Sequence, residues 1–209
     1  MHKYKLLILD YGGVYSFSYD QANFDRIMQI VFGKEPTVPE GKKISLLSRE
    51  LGSNEIQVGE YVNKVANILG TTPIPSIELF QDTTISFTSP PSLEMRELVD
   101  EARESNTKVS LLSDMYEFEI KLTKPTGRYD GFDYASFSAE IGVTKHNPKA
   151  FQATLDHFHV SSNEALFVDD VLEYTKVASS IGIDVIWVDK NTYKTPEQLA
   201  QAILVRLRR

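Results

Sequence analysis

Five short apolar runs, at 5–9, 108–112, 134–137, 165–168 and 184–188, limit the fold more than any other feature of this chain. Such runs of aliphatic residues are what strands buried on both faces of a parallel sheet require. Most of them are separated by segments of helical period. In 92–105, read as SLEMRELVDEARES, Leu93, Met95, Leu98, Val99 and Ala102 fall largely on one face, after Pro90-Pro91 and with an acidic first turn. Segments 149–158 and 173–181 repeat the pattern, and 195–207 makes a last helix. Strands alternating with helices imply right-handed crossovers and an α/β fold with a doubly wound, Rossmann-like parallel sheet. The ligand site of such a sheet lies at the carboxyl ends of its strands.

The stretch 17–89 interrupts the alternation. It reads as several helices, at 20–32, 41–51, 55–69 and near 76–85, punctuated by Gly33, Gly52, Gly70, Pro73 and Pro75. The expected organisation is a Rossmann-like core at 1–16 and 90–209, with 17–89 inserted as a small helical cap over the site.

The chain has 209 residues, 42% hydrophobic and 24% charged, which suits one sizeable core plus a small accessory unit. Its formal net charge of -7 disfavours a nucleic-acid partner. It has no cysteine, so disulfides, thiolate metal sites and a thiol nucleophile are excluded. No run of 18 apolar residues is present, and MHKYK leads into the first strand without a signal-peptide pattern, so no membrane partner and a cytoplasmic location are expected.

The polar residues at the strand tips form an ordered series. Asp10 ends LILD, Ser113 ends KVSLLS, Lys145 lies in EIGVTKHNPKAF, and Asp169-Asp170 end ALFVDD. A charge at the end of a buried strand ordinarily costs stability, so the series needs a reason. Tips far apart in sequence can meet in one crevice of a doubly wound sheet. Three carboxylates meeting there would repel one another and call for a cation, and oxygen-only ligands favour Mg²⁺. Lys145 supplies a further positive charge, and the Ser113 hydroxyl can donate a hydrogen bond to an anion.

The order Asp, Ser, Lys, Asp-Asp, with a helical insertion after the first, resembles the haloacid dehalogenase-like (HAD) hydrolase superfamily, in the branch whose cap follows the first motif. The resemblance covers nearly the whole chain: LILDYGGV, VSLLSD, GVTKHNPKAF, and ALFVDD followed by ASSIGIDVIWV. It implies a nucleophilic carboxylate at Asp10 and Mg²⁺ held by Asp10, the main-chain carbonyl of Gly12, and Asp170, with Asp169 close to the metal. It also implies phosphate contacts from Ser113 and Lys145. Asp114, where relatives often carry asparagine, joins these two as a substrate-binding candidate. The function implied is Mg²⁺-dependent hydrolysis of a small phosphorylated metabolite, a sugar phosphate being the narrower expectation, through an aspartyl-phosphate.

One position departs from the pattern. Phosphatases of this superfamily commonly carry an aspartate two residues after the nucleophile, which protonates the leaving oxygen; here that residue is Gly12. Three readings follow: a leaving group that scarcely needs protonation, a proton from another group or water, or a non-catalytic relative that retains phosphate and metal binding. A 2-haloacid dehalogenase, whose halide needs no proton, is less consistent with Asp169-Asp170. Among the other polar residues, Lys124-Pro125 mimics the Lys-Pro pair of the family, but Lys145 follows the third strand at the expected offset. His2, His157 and His159 lie away from the tips, His146 is expected at the surface, and Trp187 is expected in the core. Tyr15, Phe17 and Tyr19 either line the site or anchor the cap entrance.

Overall fold

The computed structural model describes residues 4–17 and 22–208. Strands Leu6–Leu9 (β1), Lys108–Ser113 (β2), Tyr134–Phe137 (β3), Ala165–Asp169 (β4) and Asp184–Trp187 (β5) form one sheet in the order β3-β2-β1-β4-β5. Every pairing is parallel, as the alternating pattern predicts. β1 lies at the centre, where its Leu7 and Leu9 face one layer and its Leu6 and Ile8 the other, following the two-residue period of a strand.

Two helices cover each face. Leu93–Glu104 (α5) and Pro196–Leu207 (α10) bring Met95, Leu98, Leu199 and Ile203 against Leu7 and Leu9. Pro148–Phe158 (α8) and Leu172–Ser180 (α9) bring Phe151, Leu155 and Ala178 against Leu6 and Ile8. Their starts follow the local sequence. Ser92 accepts the Met95 amide at 3.4 Å, and the Asn147 side chain accepts the Lys149 amide at 3.0 Å ahead of a helix whose first residue is proline.

Between β1 and α5 the described chain is helical: Ala22–Phe32 (α1), Val38–Gly52 (α2), Val58–Leu69 (α3) and Ile77–Ser86 (α4). These helices enclose an apolar cluster of their own, including Met28, Phe32, Ile44, Tyr61, Val65 and Phe80. Two boundaries differ from expectation. α2 begins at Val38, not 41, because Glu40 accepts the Thr37 amide at 2.8 Å and Pro39 suits a first turn. α3 begins at Val58, not 55, because the chain first turns through Asn54, whose φ is 62°. The expected first residues of α1, at 20 and 21, lie outside the described residues. Two short helices, Glu117–Thr123 (α6) and Ser138–Ile141 (α7), have too few residues to show a period in the sequence, and α6 borders the site described next.

Candidate active site

Strand register brings the polar tips together. Leu9 pairs with Val168 and with Leu111, so Asp10 emerges beside Asp169 and near Ser113. The Asp10 amide donates to the Val168 carbonyl at 3.0 Å, which carries the ladder one residue past the strand. Beyond Asp10 the chain folds tightly on itself, with Tyr15 N–H donating to the Asp10 carbonyl at 3.2 Å and Ser16 N–H to the Tyr11 carbonyl at 2.7 Å. Gly13 makes this turn possible at a φ of 75°. A β-carbon there would stand 2.3 Å from Asp170 Oδ2, so the same glycine lets the Asp170 carboxylate lie against the loop.

Lys145 is 1% exposed, and its ammonium bridges two carboxylates, 2.6 Å from Asp10 Oδ1 and 2.6 Å from Asp169 Oδ2. The other Asp169 oxygen accepts the Val171 amide at 2.7 Å, fixing the carboxylate plane. Asp114 Oδ1 accepts the Lys145 amide at 3.0 Å, so Asp114 holds the loop that carries the lysine. The ammonium also lies 4.8 Å from the Tyr174 ring centroid. Burial alone would lower the Lys145 pKa, but Asp10, Asp169 and Asp114 outweigh it and raise it well above the usual value, so the side chain is a permanent cation.

Oxygens of Asp10, Asp169 and Asp170 lie within 4.8 Å of one another, a spacing at which three aspartates could hold a metal ion. Burial raises Asp169, against the pull of Lys145. Burial and the neighbouring Asp10 raise Asp170 to about 6. Three carboxylates against one ammonium leave two formal negative charges, which a divalent cation would balance. The donor set is all oxygen, as a hard cation prefers. Trp187 is exposed at this edge rather than in the core, and its indole N–H donates to the Asp170 carbonyl at 3.0 Å.

Two cavities open beside this cluster. The larger, about 740 Å³, lies between Phe24, Val38, Ser45 and Arg49 on α1 and α2 and Asp114, His146, Glu173 and Tyr174 below them. The smaller, about 210 Å³, is lined by Tyr11, Gly12, Ser113, Met115 and Glu119, with Phe24, Ile27 and Phe87 opposite. Asp114 and Tyr116 border both. Ser113 is buried, and its hydroxyl has no hydrogen-bond partner among the described residues.

The structure therefore gathers Asp10, Lys145, Asp169 and Asp170 in one cluster and sets Gly12, Ser113 and Asp114 on the adjoining cavity walls. Lys124 is elsewhere, in an exposed pair with Glu140 at 2.9 Å. His146 departs from its expected surface position. It is half-buried in the larger cavity, edge-on to Tyr174 with ring centroids 4.7 Å apart, and its Nδ1 is buried without a hydrogen-bond partner among the described residues. Burial first, then Arg49, lowers its pKa to about 4, so it is neutral at ordinary pH. His157 stacks on Tyr134 at 3.8 Å, and His159 ends α8 at a φ of 54°. Tyr15 packs in the core, Phe17 packs partly buried against it, and Tyr11 donates its hydroxyl to the Ser89 carbonyl at 2.8 Å while lining the smaller cavity. His2 and Tyr19 lie outside the described residues.

Glu119 is the residue that sequence reasoning passed over. It sits on α6, its Oε2 accepts the Tyr116 amide at 2.9 Å, and burial raises its pKa from 4.5 to about 7. The one local signal is a glutamate three residues after the helix's flanking position, the second half of a capping box.

Five parallel strands, this strand order and an aspartate cluster at the switch between β1 and β4 define the class: the chain has the fold of the HAD hydrolases. A predicted HAD-like hydrolase from Porphyromonas gingivalis superposes with a TM-score of 0.75 at 20% identity, over 98% of this chain and 98% of that one. A HAD family enzyme from Bacteroides thetaiotaomicron, crystallised with magnesium and inorganic phosphate, superposes with a TM-score of 0.69 at 20% identity, over 89% of this chain and 94% of that one. In sequence, a protein named as a phosphatase from Mycobacterium tuberculosis is 28% identical over 100 residues, 47% of this chain and 46% of that protein. Mouse acyl-CoA dehydrogenase family member 10 is 39% identical over 59 residues, 28% of this chain and 6% of that protein. The chain thus matches less than half the length of either relative. No protein-family model matches it. Among the described residues no helix is long and apolar enough to cross a membrane.

Proposed function

We propose that this protein is a Mg²⁺-dependent HAD phosphatase that hydrolyses a small phosphorylated metabolite, with a sugar phosphate as the narrower candidate. The observation that carries the reading is the Lys145 ammonium held 2.6 Å from both Asp10 and Asp169, with Asp170 completing a three-carboxylate cluster. In this reading Asp10 attacks phosphorus and forms an aspartyl-phosphate that water then hydrolyses. Lys145 and the unpartnered Ser113 hydroxyl offset charge on the phosphoryl oxygens. Asp114 positions Lys145 and borders the substrate cavity. Asp10, Asp170, Asp169 and the Gly12 carbonyl would hold Mg²⁺, which when bound balances the carboxylates and polarises the phosphoryl group.

The magnesium and phosphate in the crystals of the Bacteroides enzyme support this choice of ion and ligand, as does the name of the mycobacterial relative. Adjoining cavities of about 740 and 210 Å³, which share Asp114, suit a small metabolite with its phosphate beside Ser113. We assign 1–16 and 90–209 to the catalytic core and 17–89 to a cap, because the helices of the latter close over both cavities and pack around their own apolar cluster. A cytoplasmic location accords with this organisation and stays part of the proposal. The test is phosphate release from a panel of phosphometabolites with and without Mg²⁺. Release from one or more esters only with the metal supports the reading; Mg²⁺ binding without any turnover would favour a non-catalytic relative.

A further inference from the structure

We propose that Glu119 supplies the proton to the leaving oxygen, the task for which position 12 carries no side chain. The inference rests on the phosphatase reading and adds to it a catalytic residue on a different element.

Glu119 lines the same cavity as the residue whose task it would take. Gly12, Ser113 and Glu119 line one cavity of about 210 Å³, enclosed by α1 and the 84–89 segment. Ser113, the proposed phosphate contact, lines this cavity with Glu119, so a phosphate ester bound at Ser113 has the carboxyl on a wall of the same small volume. Glu119 is 9% exposed. One carboxyl oxygen is used by the Tyr116 amide at 2.9 Å, which anchors the side chain at the start of α6. Among the described residues the other oxygen has no hydrogen-bond partner and no ion pair holds the group. Its neighbours are neutral: the Thr123 hydroxyl donates to its main-chain carbonyl at 2.6 Å, and the same hydroxyl meets the Tyr129 phenol at 2.6 Å. A buried carboxyl without a counter-charge favours its protonated form. Burial accordingly raises it to about 7, where both acid and base forms are available at neutral pH.

The proton balance closes over the two steps. As an Asp10 oxygen bonds to phosphorus, the bond from phosphorus to the ester oxygen breaks and its electron pair stays on that oxygen. The Glu119 proton passes to it, giving the alcohol and a Glu119 carboxylate. In the second step this carboxylate takes a proton from water as the water oxygen attacks phosphorus. The bond between phosphorus and Asp10 breaks, phosphate leaves, and Glu119 is again an acid.

The experiment compares kcat/KM against leaving-group pKa, with Mg²⁺, for the unaltered protein and Glu119→Gln, using p-nitrophenyl, phenyl and alkyl phosphates. Glutamine keeps an oxygen for the Tyr116 amide but has no proton to transfer. Expected is a shallow dependence in the unaltered protein and a steep one in the variant, with alkyl esters slowed about 10²- to 10⁴-fold and p-nitrophenyl phosphate nearly unaffected. A retained kcat/KM on p-nitrophenyl phosphate also reports an intact site in the variant, whereas kcat should fall on every ester because the second step loses its base. An unchanged slope of kcat/KM, or an equal loss of kcat/KM on every ester, would overturn the role of Glu119 and leave the phosphatase reading standing. Absence of turnover of every ester by the unaltered protein would overturn both.

Discussion

Lys145 Nζ stands 2.6 Å from Asp10 Oδ1, although the two residues are 135 positions apart. The contact makes the lysine a fixed cation at the atom proposed to attack phosphorus. Replacing Lys145 by alanine should lower kcat by about 10²-fold or more, since charge stabilisation at the transferring group is lost. Lys124→Ala removes an exposed pair with Glu140, worth at most about 1 kcal/mol, and a cation–π approach to the Phe137 ring at 5.7 Å, and should leave turnover within about twofold. Steady-state assays of the two variants check this, and the reverse ranking would place the phosphate-binding lysine wrongly.

Gly13 and Asp170 are coupled by space. Gly13→Ala must adopt a φ near 75° and put a methyl group 2.3 Å from Asp170 Oδ2, so the carboxylate has to move. The left-handed conformation alone costs roughly 1–2 kcal/mol. Titration calorimetry should show Mg²⁺ affinity reduced by about 10-fold or more. Equal affinity in the two proteins would remove Asp170 from the metal site.

The buried Glu119 carboxyl gives stability a pH dependence of defined sign. Its folded pKa of about 7 exceeds the value of 4.5 it has when solvated, so the folded state binds the proton more tightly. That contribution is present below about pH 4.5 and is lost as pH rises to about 7, a difference of up to roughly 3 kcal/mol. Glu119→Gln has no such charge to bury. Its melting temperature relative to the unaltered protein should therefore climb between pH 5 and pH 8, and a constant difference would show that Glu119 is not buried as an acid.

The sheet was legible because each strand is a compact aliphatic run, and the helices of the core because they are long enough to show a period. The tips Asp10, Ser113 and Asp169-Asp170 could be found by the same logic, each being a polar residue at a strand end or just beyond one; Lys145 lies past α7, well beyond the end of β3, and is legible only from its place in the motif order. Glu119 could not. It lies on the seven-residue α6, where EFEIKLT shows no clear period, and its importance arises from a cavity wall shared with a distant glycine. His146 and Trp187 were misplaced for related reasons. A histidine beside a buried lysine follows the loop into the cleft, and a tryptophan at the end of edge strand β5 is drawn outward by its hydrogen bond to the Asp170 carbonyl.

The central claim is that Asp10 carries the phosphoryl group. It is tested most directly by rapidly quenching the protein during turnover of a phosphate ester with Mg²⁺ and weighing the peptide that contains residue 10. A phosphoryl mass increment on that peptide is expected in the unaltered protein, with none in Asp10→Asn or after chelation. Turnover that persists in Asp10→Asn, or that proceeds unchanged with the metal removed, would contradict the assignment of nucleophile and metal together.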